Sequence, residues 1–286
     1  MIPDPRFVGK PKAFWAHVRS ISERVGYTVR GTGTVKVPSF QEILTAMEQL
    51  GLQGEHLGVA PDHPAPLASL LLDYFAFRAA VLQRFVEPRL MEASAAKALF
   101  RRLAGELKPR PKEIPWNKQK GSKKAPAYLT AIVSMLIRAN AGSLPCDLNP
   151  RALTTITAGG RPLRTLARWV DGAFPGVVNP IAVWEIKEYY YTTTFGSRVA
   201  DGVYESLLDG MELEELREHE GIDVKHYLII DARYTWWECG KSYLCRIIDM
   251  LHMGYVDEVL FGREVVERIP VLVSAWMSIH QAKSRP

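Results

Sequence analysis

Two acidic residues and a lysine in the middle of the chain have the types and spacing of a phosphodiester-cleaving site. Glu185 and Lys187 flank one apolar residue in an apolar, β-branched run, residues 179–187. Such a run is typical of a short buried strand, whose period of two places Glu185 and Lys187 on the same face. Asp171 lies upstream and could join them from a neighbouring strand. The pattern therefore predicts a cluster of two carboxylates and an ammonium group.

These groups suit Mg²⁺-assisted hydrolysis of a phosphodiester bond. Carboxylate oxygens bind Mg²⁺ and leave coordination positions for water and phosphate. The metal lowers the pKa of a bound water and stabilises the charge of the reaction, while Lys187 orients or deprotonates that water. Burial beside the metal is expected to lower the pKa of Lys187 and so to help it act as a base. The alternative is an ordinary strand in which Glu185 and Lys187 pair with each other at a solvated edge.

The pattern Asp171…Glu185-Ile186-Lys187 resembles the motif of the PD-(D/E)xK nuclease superfamily, which includes the type II restriction endonucleases. The resemblance covers about residues 160–262, and Val170 stands where the motif often has proline. It implies that Asp171 and Glu185 bind Mg²⁺ and that Lys187 is the catalytic lysine. It also implies double-stranded DNA as the substrate. Because one such chain cuts one strand, cleavage of both strands requires a homodimer on a two-fold symmetric site or successive nicking. The sequence contains no helicase or ATPase motif, so we expect no nucleotide cofactor.

The elements that would position these residues follow them in the chain. The sequence predicts an extended segment over residues 189–194, a helix from about 198, and a buried strand over 226–232. A helix over 242–253 and a strand over 256–261 follow, and Arg233, Trp236 and Trp237 are predicted to form a substrate-facing loop. This order predicts an α/β fold with a mixed β-sheet flanked by helices. The resemblance implies that the sheet is a restriction-endonuclease-like core.

One face of the predicted helix after the strand carries four charged residues, Arg198, Asp201, Glu205 and Asp209. Glu205 or Arg198 could reach the site as an accessory ligand for metal or phosphate. The alternative is a solvated helix face, which is the commoner place for such charges. This alternative is the prediction for Asp209, and both interpretations stay open for Glu205.

The first part of the chain is predicted to be helical. Ser39 and Glu42 have the spacing of a capping box, and Gly26 is predicted to end the first helix. The predicted organisation is a helical module over residues 1–107, a basic connector over 108–125 and the catalytic domain over 126–286. The helical module could recognise DNA or mediate dimerisation.

The basic connector is the predicted contact with nucleic acid. It combines lysines with Trp116 and Asn117, a composition suited to phosphate and base contacts. The alternative is a solubilising linker. The residues predicted to contact nucleic acid are Lys118, Lys120, Lys123 and Lys124, together with Tyr190 and Thr193 near the site.

Composition and the cysteine count indicate that the protein resides in a reduced compartment. The chain has 286 residues, a formal net charge of +5 and three cysteines, too few for a disulfide framework. The first residues lack the apolar core of a signal peptide, and charged residues interrupt the apolar run 67–85. We therefore expect a cytoplasmic protein that does not cross a membrane. The leading hypothesis is a type II restriction enzyme; the alternatives are a structure-selective repair or phage-defence nuclease and a DNA-binding module without catalysis.

Overall fold

The computed structural model of the protein describes residues 1–58, 60, 63–108, 115–117, 124–191 and 196–283. Within these ranges the chain forms eight α-helices and six β-strands. The helices are α1 (Lys12–Val25), α2 (Phe40–Gln49), α3 (Pro66–Val81), α4 (Ala93–Leu107), α5 (Tyr128–Ala141), α6 (Ser197–Glu220), α7 (Lys241–His252) and α8 (Val265–Lys283). The strands are β1 (Thr155–Ala158), β2 (Arg161–Thr165), β3 (Gly172–Phe174), β4 (Ala182–Glu188), β5 (Lys225–Asp231) and β6 (Glu258–Phe261).

The first three helices pack around an apolar core of their own. The predicted end of α1 at Gly26 is confirmed, and Gly26 has a φ of 83° that favours glycine. The predicted capping box of α2 is also confirmed. The side chain of Ser39 accepts from the backbone N–H of Glu42, and the Glu42 carboxylate accepts from the backbone N–H of Ser39. The buried residues of this core include Phe14, Trp15, Ile21, Ile43, Leu71, Tyr74 and Phe75.

Four strands form one mixed sheet in the order β3-β4-β5-β6. β3 runs antiparallel to β4, with Gly172 opposite Trp184, whereas β4, β5 and β6 are parallel to one another. β1 and β2 form a separate antiparallel hairpin. The predicted α/β class with a mixed sheet flanked by helices is therefore confirmed; a restriction-endonuclease-like core stays a prediction.

The sheet lies between two layers of helices. α6 connects β4 to β5 and α7 connects β5 to β6, and right-handed crossovers between adjacent parallel strands place both helices on the same face. Leu228 of β5 and Phe261 of β6 belong to the apolar core on that face. The opposite face of the sheet packs against α5 and α8, where the ring of Trp184 stacks on that of Trp276 with centroids 5.5 Å apart.

A buried ion pair joins the helical region to the sheet region. Arg78 of α3 lies with its Nη1 3.0 Å from both carboxylate oxygens of Asp249 in α7. The hydroxyl of Tyr74 donates to the same carboxylate at 2.6 Å. Arg78 is 1% exposed and Asp249 is 4% exposed, so the pair is shielded from water.

Two local predictions are wrong. β4 ends at Glu188, so Tyr189 and Tyr190 do not continue it as a strand. Trp236 and Trp237 are buried in a π-helical turn, Tyr234–Cys239, and do not form a substrate-facing loop. Arg233, just before that turn, pairs with Glu87 and Glu238. No helix in the described ranges is long and apolar enough to cross a membrane.

Candidate active site

β4 carries the two central residues of the candidate site. Glu185 and Lys187 point to the face of the sheet that α6 covers, and Trp184 points to the other face, as strand alternation requires. Glu185 is fully buried and Lys187 is 7% exposed. The Nζ of Lys187 donates to the Oε2 of Glu185 at 2.8 Å. The two side chains do pair, but in the interior and not at a solvated edge.

Asp171 reaches the same place because it immediately precedes β3. The antiparallel pairing of β3 with β4 continues to this residue, whose backbone N–H donates to the carbonyl of Trp184 at 3.1 Å. Its Oδ2 accepts from the backbone N–H of Ile186 at 2.9 Å. Gly172 allows this approach, since a side chain there would lie 2.1 Å from the ring of Trp184. The structure thus brings the three predicted residues together.

α6 supplies two further carboxylates. Glu205 accepts from the Nζ of Lys187 at 2.6 Å, and Asp209 lies one helical turn further along. Gly202 lets the helix approach, because a side chain there would come within 2.5 Å of the Tyr189 hydroxyl and 3.3 Å of the Lys187 side chain. Asp209 is fully buried. The prediction that Asp209 belongs to a solvated face is therefore wrong.

Arg168 completes the cluster from the loop between β2 and β3. Its Nη1 lies 2.9 Å from the Oε1 of Glu185, and its Nη2 donates to the Oε2 of Glu185 at 3.1 Å. Nη2 also donates to Glu205 at 3.3 Å, and Nη1 donates to Asp209. The guanidinium group is thus surrounded by three carboxylates. We call Arg168, Asp171, Glu185, Lys187, Glu205 and Asp209 the acidic cluster.

Comparison with known protein families shows that the acidic cluster lies in a region of the chain that one family matches. Residues 91–276, well over half of the chain, match the family described as "Domain of unknown function (DUF7687)". The chain belongs to this family. Residues 1–85 match a second family, described as "Domain of unknown function (DUF7690)". No curated protein and no solved structure matches the chain.

The DUF7687 region therefore contains the whole sheet and the acidic cluster, and the DUF7690 region contains α1 to α3. Residues 86–90 lie between the two matched regions. α4, which the sequence places in the helical module, packs on α5 through the same apolar core. The predicted boundaries at residues 107 and 126 stay a prediction.

The charges around Lys187 decide its protonation state. Burial alone would lower the pKa of Lys187, but the carboxylates of Glu185, Asp171 and Glu205 outweigh burial and raise that pKa. This is the direction in the protein without metal; a lowered pKa of Lys187 beside a bound metal stays a prediction. In this state Lys187 is an ammonium ion, which can orient a water molecule or stabilise negative charge.

The two carboxylates of α6 differ in their electrostatics. Burial and the nearby charge of Glu185 raise the pKa of Asp209 to about 7, against the opposing effect of Arg168. For Glu205 the hydrogen bond from Lys187 and the charge of Arg168 outweigh partial burial and lower the pKa. The Glu205 side chain is 42% exposed, so it forms the solvent-facing side of the acidic cluster.

The donor set of the acidic cluster fits a hard divalent cation in its chemistry. Carboxylate oxygens are the ligands that Mg²⁺ takes from proteins. The Oε1 of Glu185 and the Oδ1 of Asp209 are buried and make no hydrogen bond within the described residues. The arrangement is nevertheless closed, because among those residues no three carboxylate, histidine or cysteine side chains are placed to hold one metal ion together. Arg168 and Lys187 occupy the space between the acids.

The other predicted site residues lie apart from the acidic cluster. Arg198 is exposed on the first turn of α6. The Tyr190 hydroxyl, expected to contact nucleic acid, donates instead to the buried Asp231 at 2.5 Å. The Nζ of Lys124 lies 5.1 Å from the ring centre of Trp116, which is 57% exposed. Lys118, Lys120, Lys123 and Thr193 lie outside the described residues.

The sequence pattern indicates no role for Arg168 and predicts the wrong environment for Asp209. Arg168 lies only three positions before Asp171, and Asp209 lies one turn after Glu205. The short spacing of Arg168 from Asp171, and of Asp209 from Glu205, is the only feature of the sequence that links them to the site. It does not distinguish a buried ionic contact from a solvated charge, because burial here depends on how α6 and the loop dock on the sheet.

A second pair of carboxyl groups lies on the opposite face of the sheet. Glu188 and Asp231 are partners in the pairing of β4 with β5. Glu188 accepts from the backbone N–H of Leu129 at 2.8 Å and from the hydroxyl of Thr130 at 2.9 Å, so it caps the start of α5. Burial raises the pKa of Glu188 to about 7 and that of Asp231 to about 7. These hydrogen bonds act in the opposite direction but do not outweigh burial.

The raised pKa of Glu188 predicts a pH-dependent stability. Because the folded state holds this proton more tightly than the unfolded state, stability falls as pH rises between about 4.5 and about 7. Glu188→Gln keeps an acceptor for the backbone of α5 and removes the charge. We expect the free energy of unfolding of this variant to fall less than that of the wild type from pH 5 to pH 8, measured by urea denaturation. Parallel pH profiles would contradict the assignment, and Glu106→Gln, at an exposed position, serves as the control.

Proposed function

We propose that this protein is a Mg²⁺-dependent endonuclease that hydrolyses phosphodiester bonds of DNA. The observation that carries the proposal is the convergence of Asp171, Glu185 and Lys187 on one face of a mixed sheet. The resemblance to the PD-(D/E)xK nucleases rests on these residues. Glu185 and Lys187 lie on β4, and Asp171 lies just before the adjacent β3 with its backbone and carboxylate hydrogen-bonded to β4; this fixed arrangement supports the resemblance.

Each residue of the candidate site would have its own role in phosphodiester hydrolysis. Asp171 and Glu185 would hold the metal, with Glu205 as an additional oxygen ligand from α6. A bound Mg²⁺ supplies a Lewis acid and a water molecule of lowered pKa. Lys187 orients the attacking water and stabilises the negative charge that develops on the phosphate, because its ammonium group is already protonated. Proton removal from the water is therefore not assigned to Lys187.

The basic segment supports DNA as the substrate. Lys124 and the exposed ring of Trp116 lie together, where a cation and an aromatic face can contact a phosphate and a base. The lysines at 118, 120 and 123 belong to the same segment in the sequence. We propose a sequence-specific type II restriction enzyme as the form of this activity, acting as a homodimer on a two-fold symmetric site, since one active site cuts one strand.

A second candidate function is a DNA-binding module without catalysis. The observation that favours it is the closed state of the acidic cluster, in which Arg168 and Lys187 already pair with the carboxylates. A network of this kind can also be purely structural. The two candidates differ in one outcome, which is the cleavage of DNA in the presence of Mg²⁺.

Incubation of the purified full-length protein with unmethylated phage DNA tests the proposal. We expect discrete fragments with Mg²⁺ and none with EDTA. Asp171→Ala should reduce cleavage to background because it removes a metal ligand. Asp201→Ala should cleave like the wild type, because Asp201 is an exposed acid on α6 outside the acidic cluster.

Two other results of the cleavage assay would indicate a different function. A smear of fragments that Asp171→Ala abolishes would support Mg²⁺-dependent hydrolysis at this site. It would contradict sequence-specific cleavage and indicate a structure-selective or non-specific nuclease. Intact DNA in every reaction, together with DNA binding that Asp171→Ala leaves unchanged, would contradict the endonuclease and favour the binding module.

A further inference from the structure

Arg168 occupies the centre of the acidic cluster, where a metal-dependent nuclease would need its cation. We propose that Arg168 is a resident cation that closes the cluster, and that a divalent metal ion and the Arg168 guanidinium compete for the same carboxylates. This inference rests on the proposed function, because it concerns the metal that the function requires. It identifies Arg168 as a positioning residue that controls whether the site is open to metal.

The contacts of Arg168 are those of a specific site. Its two terminal nitrogens lie 2.9 and 3.1 Å from the two carboxylate oxygens of Glu185; the contact of Nη1 is an ion pair, and that of Nη2 is also a hydrogen bond. The same nitrogens contact Glu205 and Asp209. A metal ion bound by Glu185 and its neighbours would take these same oxygens. It would also repel a guanidinium at this distance, so both cations cannot occupy the cluster together.

Two buried oxygens show that Arg168 does not satisfy the acidic cluster completely. The Oε1 of Glu185 lies 2.9 Å from the Nη1 of Arg168 but makes no hydrogen bond, and the Oδ1 of Asp209 has no hydrogen-bond partner within the described residues. Both side chains are fully buried. Unsatisfied buried acceptors cost free energy, and a cation that coordinates them would remove that cost. A metal ion that coordinates these oxygens would therefore gain a stabilisation that Arg168 does not supply.

The charge balance leads to the same inference. The acidic cluster contains four carboxylates, Asp171, Glu185, Glu205 and Asp209, and two cations, Arg168 and Lys187. With all acids ionised, two negative charges remain in excess. Replacing Arg168 by a divalent ion would reduce that excess to one. A more complete neutralisation of buried carboxylates is favourable because they are poorly solvated.

The loop that carries Arg168 allows its side chain to leave without moving the backbone. Leu166 and Val170, on either side, are buried in an apolar core with residues of α6 and β4. The backbone N–H of Ala167 donates to Glu212 of α6 at 3.1 Å. The Arg168 side chain itself is 22% exposed, so it has a path to solvent. A displaced guanidinium would stay at the mouth of the site, where it could bind a phosphate oxygen of the substrate.

Binding of Mn²⁺ to the metal-free full-length protein, followed by electron paramagnetic resonance of the free ion, tests the competition. Arg168→Gln should bind Mn²⁺ about 10- to 100-fold more tightly than the wild type, because it removes a charge-assisted contact that the metal must break. Arg168→Lys should fall between them, since an ammonium group keeps the charge but cannot reach Glu185, Glu205 and Asp209 through two separate nitrogens. Arg164→Gln removes a more exposed ion pair with Glu215 and should bind Mn²⁺ like the wild type.

The outcomes separate this inference from the proposed function. Equal or weaker Mn²⁺ binding by both Arg168 variants, with wild-type binding that Glu185→Gln abolishes, would overturn the competition and leave the metal-dependent function intact. No Mn²⁺ binding by the wild type or by either Arg168 variant at millimolar concentration would overturn both. Circular dichroism establishes that each variant is folded, and Arg168→Lys, which keeps the charge, decides the result if Arg168→Gln does not fold.

Discussion

Lys187→Ala is expected to lower the rate of Mg²⁺-dependent DNA cleavage by about 10²- to 10³-fold, the loss typical of removing one group that stabilises transition-state charge. Lys187 holds its ammonium group between Glu185 and Glu205, and the surrounding carboxylates raise its pKa. It therefore acts as a cation. Its loss should appear in the cleavage rate and not in metal affinity, because removing a positive charge from the acidic cluster does not weaken cation binding. Single-turnover cleavage and Mn²⁺ titration measure the two quantities separately.

Two further variants make the Lys187 prediction specific. Lys187→Arg keeps a positive charge and should retain part of the rate that Lys187→Ala loses. Lys225→Ala should cleave within about twofold of the wild type, because Lys225 lies at the start of β5 and pairs with Asp223 and Asp257 outside the site. Wild-type cleavage by Lys187→Ala would exclude the lysine from the reaction. A pH dependence of the wild-type rate that disappears in Lys187→Arg would indicate a base and contradict the cationic role.

The sequence pattern predicted the central site because it depends on local periodicity. Alternation along one strand was enough to place Glu185 and Lys187 on one face, and the apolar run around them gave the strand itself. β5 was predictable because it is a short apolar run, and α7 because its apolar residues recur at helical spacing. Asp171 joined them because a short antiparallel strand follows it.

The remaining features depend on contacts between distant parts of the chain. Asp209 is buried because α6 approaches Lys187 and Tyr189 closely at Gly202 and the Tyr255 backbone before β6 at Gly210, and no property of the helix alone indicates these approaches. The hairpin of β1 and β2 has mostly exposed residues, so it lacks the alternation that reveals a strand. Arg168 lies in a loop, where no periodicity predicts the direction of a side chain.

The helical region and the sheet region share one buried ionic contact, and this contact makes their stabilities interdependent. Arg78 belongs to the DUF7690 region and Asp249 to the DUF7687 region. Their pairing is shielded on all sides, and the Arg78 side chain also contacts the hydroxyl of Ser22 at 3.3 Å. A buried ion pair adds little net stability when intact, since desolvation offsets attraction, but breaking it leaves an uncompensated charge.

Asp249→Ala is therefore expected to lower the free energy of unfolding by about 3–5 kcal/mol. The variant leaves the Arg78 guanidinium buried without its counter-charge and deprives the Tyr74 hydroxyl of its acceptor. Asp249→Asn, which keeps an oxygen for Tyr74, should lose less. Urea denaturation followed by circular dichroism and tryptophan fluorescence measures the difference.

The exposed pair of Arg102 and Glu106 on α4 provides the matched control. Both of its side chains are more than half exposed, so Glu106→Ala should change the free energy of unfolding by about 0.5 kcal/mol or less. A loss for Asp249→Ala as small as that of the control would mean that water reaches Arg78 and that the two regions are not joined by a buried charge. Because Asp249 lies far from the acidic cluster in the sequence and contacts none of its residues within the described ranges, a folded Asp249→Asn protein should still bind Mn²⁺ like the wild type.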